Sequence, residues 1–230
     1  MNIAVFSDKF AGTLSATEVL EIVQDKFLDS NIHADLFSVT DGGQESSRIF
    51  NSYNFQTHES FETLNSDNEL SAVESLNINQ SIFFESAQLI GIDTEKESMS
   101  INSGCLLEAL QKTEVLGTGG SKTIDFGIGL LSKLGMEFIS NGETIVNPVP
   151  KDFPSIDRIK TTNFKSNLKN KVLSDTQISL LGENSAFDVF GPQKGLSGKD
   201  IEKHKLEVER LITLIDKELV LGLNPTEINS

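Results

Sequence analysis

The stretch Leu116-Gly117-Thr118-Gly119-Gly120-Ser121-Lys122-Thr123-Ile124-Asp125-Phe126-Gly127-Ile128-Gly129 constrains the fold more than any other part of the chain. Glu114-Val115-Leu116 is short and apolar enough to end a strand. Gly117, Gly119 and Gly120 then let the backbone turn sharply and come close to a ligand. Ser121 or Thr123 is placed to cap a helix beginning near Ile124. The free amides and dipole of such a helix start attract anions, and Lys122 adds a cation beside them. The loop has no Gly-Lys-Ser/Thr ending and is not G-x-G-x-x-G. The residues alone therefore leave two readings open: an anion-binding loop, or a tight strand–helix turn without a ligand.

The rest of the chain reads as α/β. Asn2–Phe6 is a short apolar strand, and Ser15 with Glu18 forms a capping box opening a helix whose Val19, Leu20, Val23 and Phe27 recur at helical spacing. Residues 34–39 read as a second strand, so the first forty residues form a parallel βαβ unit. Thr40-Asp41-Gly42-Gly43 follows at the carboxyl end of that strand, where open α/β sheets bind ligands. Residues 51–80 are polar and weakly patterned, and a domain boundary is expected near Asn77. The expected division is residues 1–76 as an incomplete Rossmann-like parallel-sheet domain, 77–222 as a second mixed α/β domain, and 223–230 as a tail. Ile82–Phe84 forms a strand ending at Glu85, a residue suited to burial or capping, and residues 103–112 look helical. Residues 140–170 read as connecting structure. Gly191-Pro192-Gln193-Lys194-Gly195 is a rigid turn, and Ser197 and Asp200 cap a last helix with Val208, Leu211, Ile212, Ile215 and Leu219 on one face.

Composition narrows the function. A net charge of −15 over 230 residues argues against nucleic acid or an anionic membrane as partner. No apolar run approaches the roughly 18 residues of a membrane helix, and the N-terminus reads as a strand, not a signal peptide. The single Cys105 fits a reducing, cytoplasmic compartment and reads as packing. His33, His58 and His204 are scattered without metal-ligand spacing.

Four separated segments, taken together, resemble the glycerate kinase family of two-domain α/β enzymes. Phe6-Ser7-Asp8-Lys9-Phe10-Ala11-Gly12-Thr13-Leu14-Ser15-Ala16 is similar to the family's A-P-D-[SK]-F-K-G-[ST]-L-[ST]-A. Thr40-Asp41-Gly42-Gly43-Gln44-Glu45-Ser46 is similar to its A-D-G-G-E-G-T, and the glycine loop at 117–129 to its G-I-G-G-S-A-T-N-D-G-G-A-G. Phe190-Gly191-Pro192-Gln193-Lys194-Gly195 keeps its F-G-P-Q-K-G unchanged. Ala11 stands in place of a lysine, Gln44 of an acid and Ile124 of an asparagine, and around Asp175 only Asp175 and Leu180 persist from C-D-V-[DN]-N-P-L. The family pattern continues beyond residue 230.

The resemblance implies phosphorylation of D-glycerate with ATP and magnesium. Asp8, Asp41 and Asp125 are the expected catalytic carboxylates. Lys9, Gly119, Gly120, Ser121, Gln193 and Lys194 are expected to bind substrate or phosphate, and Asp175 to contact magnesium. Each has a plainer alternative: Asp8 and Asp41 suit turn capping, Asp125 a helix dipole, Gln193 a turn hydrogen bond, and Lys194 the surface. The expected partners are glycerate and a nucleotide, with a homo-oligomer or a complementary chain covering the incomplete sheet. The contrasting expectation is a non-catalytic relative that binds a ligand or serves as one subunit of a split enzyme.

Overall fold

A computed structural model describes residues 3–10, 12–55, 57–174 and 176–219. Ala11, Asp175 and the expected tail lie outside them. β1 (Ile3–Ser7) pairs in parallel with β2 (Ala34–Ser38), Ile3 opposite Ala34 and Ser7 opposite Ser38. The crossover helix α1 (Ala16–Asp29) starts at the expected box, with the Ser15 amide donating to Glu18 Oε2 at 2.7 Å and the Glu18 amide to Ser15 Oγ at 3.2 Å. It buries Ala16 and Leu20 fully. The other side of the pair stays open: Phe6, stacked on Phe37, is 64% exposed.

After α2 (Ser46–Ser52) come β3 (Thr57–Leu64), β4 (Leu70–Ile78) and β5 (Ser81–Glu85), then α3 (Ala87–Ile90), α4 (Leu106–Lys112) and β6 (Val115–Gly117). With β10 (Lys171–Leu173) they form a five-stranded sheet in the order β10-β6-β5-β4-β3, parallel across β10, β6 and β5 and antiparallel from β5 to β3. Most of the stretch 51–80 is thus the β3–β4 hairpin, and Asn77, the expected boundary, lies inside β4 opposite Ile82. The pattern looked weak because inward residues alternate with charged ones: Phe61 and Val73 are buried beside the exposed Glu62 and Glu74. Residues 140–170 likewise differ from the expected connection. β7 (Glu137–Ser140), β8 (Glu143–Thr144) and β9 (Arg158–Lys160) form an antiparallel sheet in the order β8-β7-β9.

Two apolar cores fill this part. One gathers Phe61, Phe84, Leu89, Leu106 and Leu116 under the five-stranded sheet. The other packs Phe138, Phe153 and Ile159 with Phe187 of α6 (Ala186–Phe190) against the last helix, α7 (Gly198–Leu219). The face read from the sequence is the one that packs: Val208, Leu211, Ile212 and Ile215 are buried, and Leu219 joins them partly. Each such side chain stabilises the fold by about 1.5–3 kcal/mol. No helix among the described residues is long and apolar enough to cross a membrane.

The glycine loop departs from expectation in one respect. α5 (Ile128–Lys133) begins four residues after Ile124, and neither Ser121 nor Thr123 caps it. Phe126 and Gly127 both take left-handed φ, 53° and 72°, so the chain turns over 125–128, where the Ile128 amide donates to the Asp125 carbonyl at 3.0 Å. Ser121 Oγ instead accepts the Thr123 amide at 3.1 Å.

Candidate functional site

The carboxyl ends of β1, β2, β5 and β6 carry the segments singled out in the sequence. After β1, Asp8 Oδ1 accepts the Lys9 amide at 2.7 Å. The Lys9 ammonium then reaches both oxygens of Asp41, at 3.3 Å each, beyond the end of β2, and stands 3.8 Å from Asp8 Oδ1. Asp41 Oδ1 also takes the Gly43 amide at 2.8 Å, which folds the Asp-Gly-Gly turn. Asp41 keeps about a third of its side chain in solvent and has unused lone pairs.

That turn lies backbone to backbone on the glycine loop. A Cβ added to Gly43 or to Gly119 would sit 2.7 Å from the other's backbone, and one on Gly117 would meet the Gly42 carbonyl oxygen at 1.9 Å. Only glycine permits this approach. The Gly120 carbonyl accepts the Ile92 amide at 2.9 Å, and the Lys122 amide donates to the Ile90 carbonyl at 2.8 Å. Among the described residues the amides of Gly119, Gly120 and Ser121 donate to no protein group. Below the contact, Glu85 at the end of β5 is buried and accepts the Ser47 amide at 2.9 Å and the Ser47 hydroxyl at 3.2 Å, capping α2 from the neighbouring sheet. Burial raises its carboxyl above the usual range, while the Ser47 bonds and the Lys9 charge oppose this.

Behind the loop lies a cavity of about 350 Å³, mostly apolar, with walls that include Ile90, Leu106, Phe187 and Phe190. Lys194 lines it and donates to the Thr123 carbonyl at 2.9 Å. Burial pushes its ammonium down to about 8, against the attraction of Asp125. Asp125 lines the cavity too, but it is buried and its carboxylate is braced by the chain around it. It accepts the Ser103 amide and hydroxyl at 2.8 Å, the Gly129 amide at 3.0 Å and the Gly127 amide at 3.3 Å. His204 Nε2 donates to the Ile124 carbonyl at 2.8 Å from between Phe153 and Phe187, and burial holds the ring below its usual pKa.

Three contacts therefore join the four sequence segments end to end: Lys9 to Asp41, Gly43 to Gly119, and Lys194 to Thr123. Asp8, Lys9, Asp41, Gly119, Ser121, Asp125 and Lys194 all belong to this chain of contacts or to the cavity. Gln193 is exposed on its turn, and Gln44 Nε2 is held by Asp93 Oδ2 at 2.5 Å. Lys122 is turned to the Thr94 carbonyl. Asp175 lies outside the described residues. Sequence reasoning missed His204 and Ser103, which act 80 and 22 residues away from their partners and have no local signature. Cys105 is half-buried with its thiol pushed up to about 12 by burial, consistent with packing.

Comparison with known proteins points to one family. A family model described as the glycerate kinase family matches residues 3–228. A glycerate kinase of Bacillus subtilis (strain 168) is 28% identical over 127 residues, 54% of this chain and 33% of the relative. A glycerate kinase of Neisseria meningitidis serogroup B is 25% identical over 219 residues, 88% of this chain and 59% of the relative. A glycerate 2-kinase of Escherichia coli (strain K12) is 25% identical over 216 residues, 86% of this chain and 56% of the relative. The crystal structure of a putative glycerate kinase 2 from Salmonella typhimurium LT2 shares the fold at a TM-score of 0.68 and 20% identity, covering 100% of this chain and 66% of that one. In each case the match spans less than two thirds of the relative. With the family model matching nearly end to end and the motifs in mutual contact, the chain belongs to the glycerate kinase family.

Proposed function

We propose that the chain carries the site for ATP-dependent phosphorylation of D-glycerate. The observation that carries this reading is the set of contacts that gathers all four motifs around the apposed loops at Gly43 and Gly119. Phosphoryl transfer needs positioning and charge neutralisation more than covalent chemistry. Asp41 is the carboxylate best placed to accept the substrate hydroxyl proton, because it is partly solvated and has free lone pairs, whereas Asp125 is spent on bracing the loop. The unengaged amides at 119–121 suit phosphate oxygens. Lys194 suits an anionic group of the substrate.

The residues also fit magnesium. Asp8 and Asp41 already converge on one cation, the Lys9 ammonium, and magnesium is held by one or two carboxylates together with phosphate oxygens. No group of three or more His, Cys, Asp or Glu that could hold a metal ion occurs among the described residues. Magnesium bound there would neutralise phosphate charge.

The test is ³¹P NMR of the purified chain with ATP, magnesium and D-glycerate. A phosphoglycerate resonance that L-glycerate does not give supports the reading. Its absence from a folded sample refutes it for the chain alone. A second reading rests on the exposed Phe6, Phe10 and Val39 of the β1–β2 unit: a further polypeptide covers that face, and activity belongs to the assembly. It predicts a phosphoglycerate signal only in the presence of that partner.

A further inference from the structure

Ser86 follows Glu85 at the end of β5, lines the cavity with Lys194, and is 2% exposed. Its backbone is fully engaged: the amide donates to the Gly117 carbonyl at 2.9 Å, and the carbonyl accepts the Leu89 and Ile90 amides, both at 3.0 Å. Its hydroxyl is buried with no hydrogen-bond partner. Serine before a helix normally turns its hydroxyl onto the first-turn amides. Here the backbone is already helical, φ −61° and ψ −27°, and no such bond forms. Alanine would satisfy every contact the protein itself makes at this position. A buried hydroxyl left unpaired within the protein needs a partner from elsewhere, and the cavity is the adjacent space. Lys194 is in a similar state, since an ammonium has three donors and one is used, on Thr123.

We propose that Ser86 is a substrate-contacting residue, its hydroxyl and the Lys194 ammonium together holding the carboxylate of the hydroxy acid. This rests on the reading of the cavity as part of the substrate site. A phosphate is the competing anion. The cavity favours a carboxylate, because the Lys194 ammonium is its one cation among the described residues and the Asp125 carboxylate that also lines it repels a phosphate dianion more strongly than a single negative charge.

Calorimetric titration of wild type and Ser86→Ala with D-glycerate, and separately with ATP, tests this, alongside melting temperatures and turnover. Expected is a loss of D-glycerate affinity of about tenfold on removing one hydrogen bond to a charged group, with ATP affinity and melting temperature unchanged. Equal D-glycerate affinity overturns the assignment, as does a loss confined to ATP or a melting temperature lowered by several degrees. Should Ser86→Ala fail to fold, Ser86→Cys, close in volume and a weak donor, repeats the comparison. The two proposals fail separately. Turnover with unchanged glycerate affinity in Ser86→Ala removes Ser86 and keeps the kinase. Glycerate binding that needs Ser86 without any turnover keeps Ser86 and removes the kinase. A wild type that binds no D-glycerate removes both.

Discussion

Two lysines mark the two ends of the site, and they are held in opposite ways. Lys9, at the open end, lies between two carboxylates, 3.3 Å from Asp41 and 3.8 Å from Asp8. Lys194, at the closed end, bonds only a carbonyl, and the nearest acid, Asp125, is occupied by amides and a hydroxyl. Charge is balanced in advance where solvent and a metal-bound nucleotide would enter. Donors are left free where a small anion would settle, two of the three on the Lys194 ammonium. On the proposed reading, the open end aligns the reactants and accepts a proton, and the closed end draws an anion out of water at some cost to the empty protein.

The sharpest way to break this contrast is to mutate each end and ask which kinetic parameter moves. Asp41→Asn keeps the turn's shape and removes the acceptor. It should lower kcat by about 10²–10⁴-fold, the usual contribution of a general base, while circular dichroism shows a folded chain. Gly119→Ala forces a methyl against Gly43 and so separates the two ends. Misplacement by an ångström costs on the order of 10²-fold in rate, read as kcat/KM. Lys194→Met should act mainly on KM for D-glycerate, raising it about tenfold or more for the loss of a charged hydrogen bond, with kcat changed less.

The contrast also has a pH signature. Lys194 titrates near 8 in the folded chain, below the usual lysine value. Anion binding needs the ammonium, so KM for D-glycerate should climb as pH rises above about 8, and the climb should vanish in Lys194→Met. Stability of the ligand-free protein should move the other way. Between about 8 and the ordinary lysine range the unfolded chain binds more protons, so stability rises with pH across that window. The smallest effect belongs to Glu85. Its raised carboxyl means the folded chain binds more protons just above the normal glutamate range, so stability falls as pH rises through that range. Glu85→Gln should remove this slope in denaturant titrations and shift neutral-pH stability by no more than about 1 kcal/mol.

What the sequence revealed followed from how local each signal was. The boxes at Ser15 and Glu18 and at Ser197 and Asp200 form within one helical turn and are where expected. The apolar face of α7 was legible because one helix contains it entirely. The β3–β4 hairpin was hidden because inward positions alternate with charges and its turn uses Asn68 at φ 61°; the β4–β5 turn likewise uses Asn79 and Gln80, at 50° and 69°. The start of α5 was misjudged because Asp125, not the nearby hydroxyls, collects its amides, and does so together with Ser103 from another element. In the site, residue types were legible and roles were not. Asp41 and Asp125 look equivalent as Asp within two residues of a glycine. Only the tertiary contacts show Asp41 partly in solvent and Asp125 buried under four hydrogen bonds.

The most direct test of a single two-ended site is D-glycerate-dependent ADP release by wild type, Asp41→Asn and Lys194→Met measured side by side. Expected is activity in the wild type, a collapse of kcat in the first variant, and a rise in KM for D-glycerate in the second. Wild-type activity that neither substitution alters would place the chemistry elsewhere in the chain and contradict the site described.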